Sequence, residues 1–218
     1  MTEASGSEVL NRRPQVVLFD YGSGNVHSAA KALALAGAEV VQTSDARVAA
    51  EARAVVVPGV GAYAACMEQL EAVGGAEMIR LRYALGGATL GICVGHQVMF
   101  GAGLEHGLRA PGVGVWGGEV AQLESPRLPH MGWNTLLSEP DSWWAEAVGD
   151  ARVYFVHSYA ALTAEGVPAG ADVAWTEHQG HRFVSAVRDG SFTTTQFHPE
   201  KSGPVGIEVL RRWVAETA

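Results

Sequence analysis

Cysteine is scarce in this 218-residue chain: there are only two, Cys66 and Cys93. Two thiols make no disulfide framework, which excludes a stapled secreted scaffold and leads to the expectation of a reduced, cytoplasmic protein. Long apolar runs are missing too. No uninterrupted stretch approaches the ~18 residues of a membrane span, so no contact with a membrane is expected. Basic charge is short: Lys+Arg number 15 against 23 Asp+Glu, for a net charge of -8. That argues against a broad nucleic-acid surface. Residues 1–14 lack an apolar core, so they read as a disordered leader and not as a secretory signal. Internal repeats and low-complexity tracts are absent. Asp20 has no second cluster of ligands at suitable spacing, so neither a metal nor a cofactor is expected.

What is present is a core. Apolar residues make up 48% of the chain, and the length suits one domain over residues 15–218. Short apolar runs at Val16 to Phe19, Val40-Val41, Ala54 to Val57 and Leu90 to Ile92 read as strands. Helical patterns at Val26 to Ala36, closed by Gly37, and at Tyr63 to Val73 alternate with them. Cys66 falls in the second of these, where a buried thiol is the default. This alternation predicts an α/β fold, a mostly parallel sheet flanked by helices. Pro58-Gly59-Val60-Gly61 reads as a break after the third strand. From Gly101 to Pro140 glycine and proline are dense. The short runs Val113 to Trp116 and Val120 to Leu123 predict extra antiparallel ribbons on the sheet's flank. Val153 to Val156, Val173 to Trp175, Phe183 to Val187 and Phe192 to Gln196 read as further strands. Pro204 suits the first turn of a last helix, through about Ala215.

In a parallel sheet, ligands sit beyond the carboxyl ends of the strands. Three glycine turns are predicted there: Asp20 to Asn25, Pro58 to Gly61, and the segment around Cys93. A lone cysteine after a strand is usually core. Here Gly91 and Gly95 flank Cys93 at the spacing of a nucleophile elbow, and a following helix would aim its N-terminus at the sulfur. The amide of Val94 would be placed to bind an oxyanion. His198-Pro199-Glu200 offers a base and a carboxylate to orient it, held by a proline kink. Without Cys93 that triplet reads equally well as a loop before the last helix. Pro58 to Gly61 could turn an amide toward a ligand or be a plain turn. The Gly22-Gly24 loop lacks the full phosphate-binding pattern.

Taken together, Gly91-Ile92-Cys93-Val94-Gly95-His96-Gln97 and His198-Pro199-Glu200 resemble the class I glutamine amidotransferases, a flavodoxin-like α/β family. More narrowly, the chain resembles the glutaminase subunits of imidazole glycerol phosphate synthase. The narrower likeness rests on Asp20 to Asn25, Pro58 to Ala62, Pro129 to Asn134, Phe155 to Tyr159 and Gln196 to Ser202. It implies hydrolysis of L-glutamine to glutamate and ammonia through a thioester on Cys93, with His198 and Glu200 completing a triad. It also implies an oxyanion hole from Val94 with Val60 or Gly61, and a glutamine site formed by Gln97, Gly59, His157, Ser158 and Tyr159. The expected partner is a separate (β/α)8-barrel cyclase subunit, which makes imidazole glycerol phosphate and an aminoimidazole carboxamide ribotide in histidine biosynthesis. Asn25, Tyr154 and Lys201 are expected to face that subunit. Three positions depart from the family pattern: His96 replaces a methionine, His178 a tyrosine, and Thr193-Thr194-Thr195 a Gly-Val ending. Another class I glutaminase and a catalytically dead scaffold are the rival readings; the narrower blocks and the intact triplet speak against them.

Overall fold

Valine-rich runs with no polar face make strands that must be covered on both sides, and the centre of the sheet is built from them. In a computed structural model, which describes residues 13–218, Gln15–Phe19 (β1), Glu39–Thr43 (β2), Ala54–Gly59 (β3) and Ala88–Cys93 (β4) are parallel neighbours. The sheet continues through Phe192–Thr195 (β13), parallel to β4, then antiparallel His181–Asp189 (β12) and Asp172–His178 (β11). The full order is β11-β12-β13-β4-β3-β1-β2. Every residue of β3 is buried. Helices Val26–Leu35 (α1), Ala46–Glu51 (α2), Tyr63–Ala72 (α3), Gly75–Leu85 (α4), Trp143–Val148 (α6) and Gly203–Ala215 (α7) belong to the same α/β architecture, with Val94–Gln97 (α5) at the end of β4. The expected mostly parallel sheet with helices is therefore what the chain forms.

Several expectations need correction. β3 does not stop before Pro58. It runs through Gly59, with Pro58 and Gly59 in register with Ile92 and Cys93. The Pro58 carbonyl is taken by the Tyr21 hydroxyl at 2.7 Å. Val113 to Trp116 is not a strand; its amides bond back to Val98 and Met99 just after the elbow. The flanking strands are Ala102–Glu105 (β5), Leu108–Pro111 (β6), Glu119–Gln122 (β7) and Tyr159–Ala161 (β10). They pair antiparallel as β5/β6 and β7/β10, but β5 and β7 are parallel. A separate antiparallel pair joins His130–Asn134 (β8) to Val153–His157 (β9). The leader expected over residues 1–14 lies outside the described residues, apart from Arg13 and Pro14. The Pro14 carbonyl is already bonded to the amide of Glu39.

The helices α2 and α4 have no counterpart in the sequence reading. The buried face of α4 includes Arg82, a charged residue that breaks the apolar stripe. Its guanidinium donates to the carbonyls of Ala49, Ala50 and Ala52 at the end of α2, and to Ala88 at the start of β4. Burial pulls its pKa down to about 10, still well above neutrality. The cation thus satisfies helix-end carbonyls that would otherwise be orphaned.

Candidate active site

Cys93 ends β4 with φ +57°, a left-handed conformation that costs a non-glycine residue about 1–3 kcal/mol. Close-packed backbone holds it there. A Cβ on Gly95 would stand 2.0 Å from the Val57 carbonyl oxygen, and one on Gly91 would stand 2.5 Å from the Gly95 oxygen. Glycine at both positions is what allows the chain to turn so tightly over β3. The helix that follows, Val94–Gln97 (α5), is a single turn. So short a helix puts little macrodipole behind the sulfur. Val94 is its first residue, and its N–H has no partner within the helix.

His198 follows β13, the strand paired beside β4, and its amide bonds the Tyr154 carbonyl. Pro199–Lys201 forms a 3-10 turn that returns Glu200 beside the imidazole. His198 Nδ1 lies 2.7 Å from Glu200 Oε1, and both side chains are buried. Among the described residues, His198 Nε2 and Glu200 Oε2 have no hydrogen-bond partner. Burial alone would lower the His198 pKa. The neighbouring Cys93 and the Glu200 carboxylate outweigh it and hold the imidazole up, at about 9. Cys93 and His198 open on one cavity of about 310 Å³. Such a pairing can carry out nucleophilic acyl transfer.

The other expected residues divide. Val60, Gly61, Val94, Gln97, His157, Ser158, Tyr159 and Lys201 line the cavity. Gly59 does not. It packs against α5, where a Cβ would meet the Gly95 nitrogen at 2.7 Å, so its part is clearance. Asn25 and Tyr154 also lie off the cavity: Asn25 caps α1 by accepting from Ser28 N–H, and Tyr154 packs edge-on against Trp133. The Val60 N–H is directed to Ser23 Oγ at 3.4 Å, which commits that amide away from a group held at Cys93. The Val60 carbonyl accepts from Ser23 Oγ at 2.9 Å and from Cys66 Sγ at 3.2 Å. Three lining residues were not foreseen: Val156, Tyr63 and Glu105. Tyr63 starts α3, and its N–H donates to Glu105 Oε2 at 2.6 Å, so a carboxylate faces the cavity from β5. Only the pairing of β5 with the flank brings Glu105 there, and no local pattern signals it.

Two of the departures from the family pattern meet each other. His96 Nδ1 lies 2.7 Å from Thr194 Oγ1 behind the elbow, and burial drives the His96 pKa down to about 3. Histidine at one position is thus matched by threonine at the other. The third, His178, stacks on His130 with ring centroids 4.2 Å apart.

The profile of the family "Glutamine amidotransferase class-I" matches residues 17–217. The chain is 52% identical over 203 residues to the imidazole glycerol phosphate synthase subunit HisH of Leifsonia xyli subsp. xyli, covering 91% of this chain and 97% of that one. It is 50% identical over 200 residues to the same subunit of Mycolicibacterium paratuberculosis, covering 91% and 96%. Among solved structures, a glutamine amidotransferase superposes with a TM-score of 0.71 at 20% identity, over 93% of this chain and 97% of that one. PurLQS from Thermotoga maritima superposes with a TM-score of 0.66 at 17% identity, over 95% and 100%. These superpositions speak to the fold, while the sequence relatives speak to kinship. With a cysteine elbow, a buried His-Glu pair and this kinship, the chain belongs to the class-I glutamine amidotransferases, in the branch of the imidazole glycerol phosphate synthase HisH subunits.

Proposed function

We propose that residues 15–218 form one glutaminase domain that hydrolyses L-glutamine to glutamate and ammonia through a thioester on Cys93. The observation that carries this reading is a strained cysteine sharing a cavity with a buried His198–Glu200 pair. His198 takes the thiol proton, and the sulfur attacks the side-chain carbonyl of glutamine. Val94 and Gly61 supply amides to the oxyanion, each worth about 3 kcal/mol to the transition state. The imidazolium then protonates the departing ammonia, and water, deprotonated by His198, cleaves the thioester. Gln97, the His157 to Tyr159 segment and Glu105 hold the α-amino acid end of the substrate; a carboxylate at Glu105 suits its ammonium group.

The ammonia passes to a (β/α)8-barrel cyclase subunit in a heterodimer, serving histidine biosynthesis in the cytoplasm. Asn25, Tyr154 and Lys201 face that subunit. Among the described residues, no helix is long and apolar enough to cross a membrane. The test is a glutamine-like diazoketone. Its mass should appear on the peptide holding Cys93, and Cys93→Ala should reduce ammonia release to background with the fold intact. Label on Cys66 instead would overturn the assignment.

A further inference from the structure

The carbonyl of Tyr159 receives two side chains: His157 Nδ1 at 3.0 Å and Gln97 Nε2 at 2.8 Å. A carbonyl only accepts, so His157 carries its proton on Nδ1 and a lone pair on Nε2. That Nε2 lies 3.1 Å from His130 Nδ1, which must then be the donor. His130 Nε2 is left as an acceptor, and Asn134 Nδ2 sits 3.3 Å from it. Backbone groups orient the Asn134 amide: Nδ2 donates to the Glu177 carbonyl at 2.9 Å, and Oδ1 accepts from Thr135 N–H at 2.9 Å. Each bond in the series therefore has one direction, and the series closes only if both imidazoles are neutral. On the other side of Tyr159, Gln97 Nε2 also donates to Gln196 Oε1 at 2.9 Å. This leaves Gln196 Nε2 directed at Cys93 Sγ, 3.8 Å away.

We propose that His130 is a positioning residue for glutamine hydrolysis: as a neutral Nδ1–H donor it holds His157 and the Tyr159 carbonyl, and through Gln97 and Gln196 it fixes the thiol side of the pocket. The proposal rests on the glutaminase reading. His130 is buried and does not itself line the cavity. It is sandwiched by Phe155 at 4.8 Å and His178 at 4.2 Å between ring centroids. A phenylalanine would fill that slot equally well, so packing does not explain the ring nitrogens. Burial, and then the neighbouring His178, lower its pKa to about 4; burial and His130 lower that of His157 to about 3. Both rings are therefore neutral near pH 7, as the series requires.

The experiment compares His130→Phe, which keeps the ring and removes both nitrogens, with His130→Asn, whose amide can stand where Nδ1 stood. The full chain is assayed for glutamine hydrolysis with the cyclase subunit present. His130→Phe should raise KM for glutamine by about tenfold, the loss expected for one buried hydrogen bond, and slow diazoketone labelling of Cys93 in parallel. His130→Asn should recover most of both. Long-range ¹⁵N–¹H correlation on the unmodified chain at pH 7 should show His130 and His157 as neutral Nδ1–H tautomers. A folded His130→Phe chain with unchanged KM and labelling would overturn the proposal. So would equal impairment in the two variants, or an Nε2–H tautomer at either ring. Hydrolysis surviving in Cys93→Ala would remove the Cys93 thioester reading instead, while the tautomers would still judge the hydrogen-bonded series.

Discussion

On one side of Cys93 the support behind the cavity is backbone against backbone. β3, β4 and α5 approach so closely that only glycine fits at 59, 91 and 95. On the other side, β8, β9 and β10 meet through buried polar side chains, with His130 and His157 bonded ring to ring. The first wall depends on the absence of atoms and is indifferent to pH. The second depends on which nitrogen holds a proton. One pocket thus combines a steric wall that sets the nucleophile's conformation with a titratable wall that sets the substrate side.

The largest expected effect lies where the walls meet. His198→Ala should lower turnover by about 10²–10⁴-fold, the usual share of general acid–base catalysis. Glu200→Gln should lower it less, because Glu200 acts only through the imidazole. Steady-state ammonia release measures both, and wild-type turnover in His198→Ala would remove the triad.

The steric wall is tested by Gly95→Ala, whose methyl would collide with the Val57 carbonyl. The loss should reach at least about 3 kcal/mol in denaturant unfolding, at the upper end of overpacking effects. Gly61 has φ +97° but open space around it. Gly61→Ala should therefore show only backbone strain, about 1 kcal/mol. Similar losses at the two sites would contradict the distinction between clearance and conformation.

The titratable wall should appear in the pH dependence of stability. His157 and, behind the elbow, His96 titrate near 3 in the folded chain against 6.5 in the unfolded chain. Between those values the unfolded chain binds the extra protons, so stability falls on acidification below about pH 6.5. The slope should be about 1.4 kcal/mol per pH unit for each ring. His198 acts in the opposite sense. Its folded pKa is raised to about 9, so its contribution is whole below pH 6.5 and is lost as pH rises through 9. Unfolding midpoints measured from pH 4 to 10 should trace a maximum between these limbs. In Gly61→Ala the curve should shift down without changing shape.

The smallest effect is expected at the rim. Lys201 lines the cavity and is exposed beside the Glu200 turn. Lys201→Ala should leave basal hydrolysis within about twofold, the range of a surface substitution. It should weaken stimulation by the cyclase or transfer of ammonia. Equal loss of basal and stimulated rates would place the residue in the chemistry instead of the coupling.

How much was legible follows the same division. The elbow announces itself within a few residues, because a strand that must turn sharply needs glycine on both sides of Cys93. The His198 triplet is legible as a motif, although its distance from Cys93 is not. α4 was missed because Arg82 stands on its buried face, and a charge there hides the apolar period. The committed Val60 amide was invisible because Ser23 lies 37 residues away in sequence. Glu105 looked like any surface carboxylate until β5 paired on the flank.

The alternation of apolar runs and helical patterns therefore determined the parallel sheet, and the flanking glycines determined where a nucleophile could stand. Both are local consequences of backbone sterics and apolar period, which one segment can express alone. Only the tertiary structure decided the direction of the His157–His130–Asn134 series, the companionship of His96 with Thr194, and the meeting of Cys93 with His198. A hydrogen bond needs both partners, and His157 meets His130, and His96 meets Thr194, only across different elements of the fold. Burial, which a segment cannot impose on itself, is what keeps the imidazoles of His96, His130 and His157 neutral.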